Sequence, residues 1–263
     1  FMQPQESKTS QTAAPKQLFP PWSPFIALLL VVAIFVGSQL LGFAVLWLYT
    51  IARGWTASQA QTWVEQSTTA QFVYILIAEA VTVGLLYLYI RRHNVSFCQL
   101  GLVRPGWRDA GIALVAIPFY AIGYGLVLTA ITSLFPGINV DQEQQIGFDA
   151  ARGILALTLT YISLAILPPL VEEITMRGFA YTSLRKRFRY LGAAIITSII
   201  FAIAHLQVGS GAPLLWVAAI DTFVLSMVLC YMRERTGSLW PGIFLHGLKN
   251  SVAFFALFVF HLA

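Results

Sequence analysis

The sequence predicts an all-α, polytopic bundle of about seven membrane-spanning helices, and three observations carry that reading. The chain of 263 residues is 58% hydrophobic and only 10% charged, where soluble domains carry roughly a quarter. With a mean hydropathy of +0.74, its apolar residues gather into runs of about 20, the length one helix needs to cross hydrocarbon. Short segments of alternating polarity, the mark of a transmembrane barrel, do not occur. The net charge of +5 would suggest nucleic acid for a soluble protein. Here the basic residues stand beside apolar runs and read as topology signals, so the expected partner is the lipid bilayer and not nucleic acid.

Residues 1–23 are polar and Pro-bearing, with Lys8 and Lys16, and suit a flexible tail without the apolar core of a signal peptide. A single transmembrane domain is expected over 24–263. Its spans run from about Phe25 to Ile51, Gln71 to Ile90, Ala110 to Phe135, Ile154 through Glu172-Glu173, Leu191 to Leu206, Leu214 to Met232 and Leu239 to Leu262. Between the third and fourth, Asp141, Glu143 and Asp149 stand without Lys or Arg. No internal repeat and no soluble domain is visible. One set of termini and loops collects Lys8, Lys16, Arg91, Arg92, Arg104, Arg108, Arg185, Lys186, Arg187, Arg189, Arg233 and Arg235. The opposite set has Arg53 and Arg152. The positive-inside rule then puts the N-terminus in the cytoplasm and the C-terminus outside. Cys98 and Cys230 are expected near the cytoplasmic face as free thiols.

Chemistry concentrates in Pro168-Pro169-Leu170-Val171-Glu172-Glu173-Ile174-Thr175-Met176-Arg177-Gly178. Ionisable groups inside a span are costly, face the bundle interior, and either pair or act. Glu173 and Arg177 are four apart, the spacing at which helical side chains meet, and an ion pair accounts for both. Glu172 points about 100° away from Glu173 and is left over, as a buried carboxylate without a fixed cation and a candidate general base. Three more polar groups sit in late spans: His205, and His246 with Asn250 on one helix face. A lone intrahelical His more often just bonds a carbonyl, so depth is the informative quantity. Counting 1.5 Å per residue from the inner surface, Glu172 and His205 lie about 20 Å deep and His246 about 10 to 12 Å. The groups are expected to meet in a cavity open to the cytoplasm.

Glu-Glu-x-x-x-Arg, then Phe-x-x-x-His, then His-x-x-x-Asn, each on its own membrane helix, resembles the CPBP family of intramembrane proteases. That family includes the Rce1-type CAAX prenyl endopeptidases and bacteriocin-processing or immunity proteins. The resemblance covers about Ala165 to Ser251, with Met176 standing where relatives often have Phe. It implies an endopeptidase whose catalytic glutamate is Glu172, with His205, His246 and Asn250 completing the site and Glu173 and Arg177 supporting it. Peptide hydrolysis needs an activated water and a stabilised oxyanion. In a metal-free scheme, without a cofactor, Glu172 is the base, His205 holds the water, and His246 and Asn250 donate to the oxyanion. In the alternative, Glu172, His205 and His246 ligate Zn with an open position for water.

Two other classes compete. A proton-coupled transporter would also hold Glu and His near the midplane, with Glu79, Asp221 and Lys249 as further pathway groups. A catalytically silent family member would bind a partner instead. The protease reading implies a membrane-associated substrate, either a prenylated CAAX-type peptide or a leader peptide, at a bacterial plasma membrane. Finally, Asp221 and Lys249 fall at similar depths on helices joined by a short turn, and are expected to pair with each other rather than Lys249 with Glu172.

Overall fold

The computed structural model describes residues 20–142, 146–207 and 213–261. Most of the expected N-terminal tail, with Lys8 and Lys16, lies outside the described residues, as do Glu143 and Leu262. Among the described residues the protein is all-helical. The helices are α1 (Pro24–Ala52), α2 (Ala57–Gln66), α3 (Thr68–Arg92), α4 (Trp107–Leu134), α5 (Gly153–Leu184), α6 (Tyr190–Ala204), α7 (Trp216–Thr236) and α8 (Trp240–Val259).

Six of these are long and apolar enough to cross a membrane. The seventh expected span, α6, has 15 residues, about 22 Å of helix against a hydrocarbon core of about 30 Å, so it stops short. The sequence reading also missed α2, a polar helix whose start is fixed by a capping box: Gln59 N–H donates to Thr56 Oγ1, while Thr56 N–H donates to the Gln59 side chain. Apolar side chains cover most of α4, where only 6% of the spanning window is buried, against 50% for α7. Helix α4 therefore faces lipid, and α7 is the helix the others surround.

The basic residues gather at one end of the bundle. Trp22, just before α1, donates to Ser183 Oγ at 2.8 Å and packs on His93 at the end of α3. Lys186 Nζ reaches the carbonyls of Pro20 and Trp22. Arg233 Nη2 donates to Leu100 O, and Leu239 N–H to Gly101 O, which folds the loop after α3 under the α7–α8 turn. Gly101 has φ +101°, and a Cβ there would stand 2.6 Å from the Arg233 guanidinium carbon, so only glycine fits. Gly237 ends α7 in the left-handed conformation, at φ +69°. At the opposite end, Gln71 Oε1 accepts from Phe148 N–H at 2.7 Å and α2 lies across the bundle.

Helix α5 carries Pro168 and Pro169 and yet continues through them. Its ladder loosens into π-helical turns at Ile162–Ile166 and Ile174–Tyr181. Pro168 has no N–H for the carbonyl of Leu164, its i−4 partner, and that carbonyl instead accepts from Asn250 Nδ2 of α8 at 2.9 Å. One residue on, the carbonyl of Ala165, the i−4 partner that Pro169 lacks an N–H for, lies only 3.2 Å from where a Cβ on Gly247 would be. The side of α8 bearing Gly247 and Asn250 is thus fitted against backbone that the two prolines leave unmatched.

Candidate active site

The two glutamates of α5 have different surroundings. Glu173 is 1% exposed and Arg177 0%, and Arg177 Nη1 donates to Glu173 Oε1 at 2.8 Å, so the expected i,i+4 pair is present. The guanidinium of Arg177 also lies over the Phe201 ring, 4.6 Å from its centre. Helix α8 closes over this pair: a Cβ on Gly242 would stand 2.9 Å from Glu173 Oε2. The face is sealed by backbone approach as well as by side chains.

Glu172 looks the other way, into a cavity of about 510 Å³ between α1, α3, α5 and α6. His205 lines the same space, together with Glu79 and Thr82 of α3, Gln39 of α1 and Thr175. The Glu172 side chain is 30% exposed, but its Oε2, 3.8 Å from His246 Nε2, is out of solvent contact and without a hydrogen-bond partner, as is Thr175 Oγ1. Part of the lining is Val32, Phe35 and Ile203, each more than half exposed. The cavity therefore meets the lipid-facing surface between α1 and α6. Its α1 wall runs from Val31 to Gln39, about 10 to 23 Å along the helix from the basic end.

His205 is the C-cap of α6. Its Nδ1 is 2.8 Å from the carbonyl of Phe201, so the ring stops its own helix by donating to one of the last carbonyls, which otherwise lack partners. With Nδ1 as that donor, Nε2 is left as an unprotonated acceptor. Phe201 is the common neighbour, with His205 at 4.6 Å and His246 at 5.9 Å between ring centres, and Arg177 on its face.

His246 stands between the two carboxylates. Its Nδ1 is 3.4 Å from Glu173 Oε1 and its Nε2 is 3.8 Å from Glu172 Oε2. These are electrostatic contacts rather than formed hydrogen bonds. His246 does not line the cavity, and Asn250 is held on Leu164. The depth count had put His246 about 10 Å shallower than Glu172 because it started α8 at the membrane surface. Leu239 is in fact buried under the loop after α3, so α8 begins inside the protein.

Lys249 Nζ lies 2.6 Å from Asp221 Oδ2, and the Tyr120 hydroxyl donates to Asp221 Oδ1. The pairing expected from depth is the one formed. Cys98 is exposed, Cys230 is buried, and both are free. Among the described residues no three His, Cys, Asp or Glu side chains converge into a group able to hold a metal ion.

Sequence comparison bears on the same half of the chain. Residues 154–252 match the family described as type II CAAX prenyl endopeptidase Rce1-like. The chain is also similar to an Escherichia coli protein described as "Uncharacterized 24.3 kDa protein", 30% identical over 154 residues. That similarity covers 56% of this chain and 62% of the Escherichia coli protein, so the chain spans about three fifths of that relative. No solved structure matches the chain. Glu172, Glu173, Arg177, His205, His246 and Asn250 all fall inside the matched segment, which supports a CPBP/Rce1-type assignment for residues 154–252.

Proposed function

We propose that the protein is an intramembrane endopeptidase that hydrolyses a peptide bond in a membrane-associated substrate, with Glu172 as the base. One observation carries this reading: the Glu172 side chain, 30% exposed and without a hydrogen bond, lines a cavity that also presents His205, while its neighbour Glu173 takes the nearby cation. A carboxylate not engaged by a donor can accept a proton from water. That water attacks the substrate carbonyl, and the proton held by Glu172 passes to the leaving amine as the C–N bond breaks. Nε2 of His205 accepts from the same water and aims it. The family resemblance gives the developing oxyanion to His246 and Asn250. Here His246 stands 3.8 Å behind Glu172, outside the cavity lining, and Asn250 donates to the Leu164 carbonyl, so in this role both side chains turn toward the substrate when it binds. The pair Glu173–Arg177 fixes the helix that carries the base.

The reading takes the metal-free route, because Glu172, His205 and His246 are not gathered into a common set of ligands. The substrate it favours is a CAAX-type or leader peptide with a lipid or apolar anchor, since the cavity meets the hydrocarbon-facing surface. Its site opens on the half of the bundle nearer the basic end, which the positive-inside rule makes cytoplasmic, at the plasma membrane of a bacterium.

The test is cleavage of a lipid-anchored peptide library by the purified protein in vesicles, with new termini identified by mass spectrometry. Native protein is expected to cut, and Glu172→Gln, His205→Ala and His246→Ala to be inactive while remaining folded. Cutting at full rate by any of the three removes that residue from the mechanism. Prolonged treatment with a zinc chelator is expected to leave the rate unchanged. Loss of activity that added zinc restores would replace this scheme with the metal-dependent one.

A further inference from the structure

Helix α3 is an apolar span with a single acid, Glu79, and it lies outside the segment that matches the family. A carboxylate inside hydrocarbon is costly and needs a partner or a task. Elsewhere in the bundle the buried or half-buried acids have cations: Glu173 has Arg177, Asp221 has Lys249, and Glu234 has Arg185 at 2.7 Å. Glu79 makes no hydrogen bond or ion pair with any described residue. It lines the same cavity as Glu172. The described lining includes no Lys or Arg. Two acids therefore face one cavity, and its wall offers neither of them a counter-charge.

We propose that Glu79 is a specificity-determining residue, and that the missing counter-charge is a Lys or Arg side chain of the substrate peptide close to the scissile bond. This rests on the endopeptidase reading of Glu172 and narrows it to basic substrates. The arrangement suits the task in three ways. Glu79 and Glu172 come from different helices, so a peptide entering the cavity between α1 and α6 presents its backbone to one and a side chain to the other. A long basic side chain can cover apolar wall with its methylenes while its head group reaches the carboxylate. The Thr82 hydroxyl, also in the lining, is occupied by the Ala78 carbonyl of its own helix at 2.8 Å, so it does not compete for Glu79. Because Glu79 stands outside the family segment, the chemistry and the selection of substrate reside in different parts of the chain.

The experiment uses anchored peptides that differ only in carrying Lys, Gln or Glu at each position flanking the cleaved bond. Native protein is expected to prefer the Lys peptide over the Gln peptide by about 100-fold in kcat/KM, as a desolvated ion pair at a binding site allows. Glu79→Gln is expected to bring that ratio close to one, and Glu79→Lys to turn the preference toward the Glu peptide. Equal cleavage of Lys and Gln peptides by native protein at every position overturns the proposal, and so does a Lys preference that survives Glu79→Gln. A parallel fluorescence measurement of the same peptides binding to Glu172→Gln separates this idea from the protease reading. Tighter binding of Lys over Gln peptides without any cleavage by native protein would sink the endopeptidase and keep Glu79 as a cation-selecting group. Cleavage without such a preference would do the reverse.

Discussion

The two faces of α5 are built to opposite specifications. On the face toward α8, Glu173 and Arg177 are among the largest fully buried side chains of the protein. They contact each other, the Phe201 ring and the backbone at Gly242, with no room to add a methyl group. On the face toward α1 and α3, Glu172 and Thr175 line a cavity of about 510 Å³. Buried polar atoms without partners occur on both faces, Glu172 Oε2 and Thr175 Oγ1 on this one and Arg177 Nε and Nη2 on the other. Tight packing fixes a geometry, and a cavity lined by polar side chains is what a reacting molecule can use. The helix thus holds the face proposed to be active in place by over-determining the face behind it, with His246 lying between the two carboxylates.

Breaking the packed face should cost stability first. Arg177→Ala leaves Glu173 charged and buried, and is expected to lower folding stability by about 3 to 5 kcal/mol, read as a large fall in melting temperature in detergent. An unchanged melting temperature with lost turnover would move Arg177 into the chemistry. Asn250→Ala tests where the two faces are joined. It removes a proposed oxyanion donor and leaves the Leu164 carbonyl without its partner, so turnover should fall about 10²- to 10³-fold with about 1 to 3 kcal/mol of stability lost alongside. Gly242→Ala sharpens the comparison most gently. A methyl group 2.9 Å from Glu173 Oε2 must push either helix, for about 1 to 3 kcal/mol, with the pattern of cleaved peptides retained.

The sequence made some of this legible because it depended on spacing alone. Glu173 and Arg177 meet since four residues make about one turn, and Asp221 meets Lys249 since both stand near one depth on helices joined at Gly237. Lengths of apolar runs likewise located the spans. What stayed hidden depends on contacts made at a distance. The π-helical turns of α5 follow from Pro168 and Pro169 together with Asn250 of another helix, so Pro-Pro alone reads equally well as a break. Helix α6 ends within two residues of the expected Leu206, but the bond from the His205 ring to the Phe201 carbonyl at that end could not be read from composition. Phe201 stood out only as the first residue of Phe-x-x-x-His, with no role attached, although it touches Arg177, His205 and His246. Glu79 was visible as the one acid of its span, and only the cavity shared with Glu172 ties it to the site.

The most direct test sets the adjacent carboxylates against each other in one preparation, measuring thermal stability and peptide cleavage for Glu172→Gln and Glu173→Gln beside the native protein. The account predicts that Glu172→Gln melts with the native protein while its cleavage rate falls about 10⁴-fold, as loss of a general base allows. It predicts that Glu173→Gln melts well below both, because Arg177 then keeps a buried charge with no counter-charge. An active Glu172→Gln, or a Glu173→Gln that is fully stable and inactive, would contradict the division of labour between the two faces of α5.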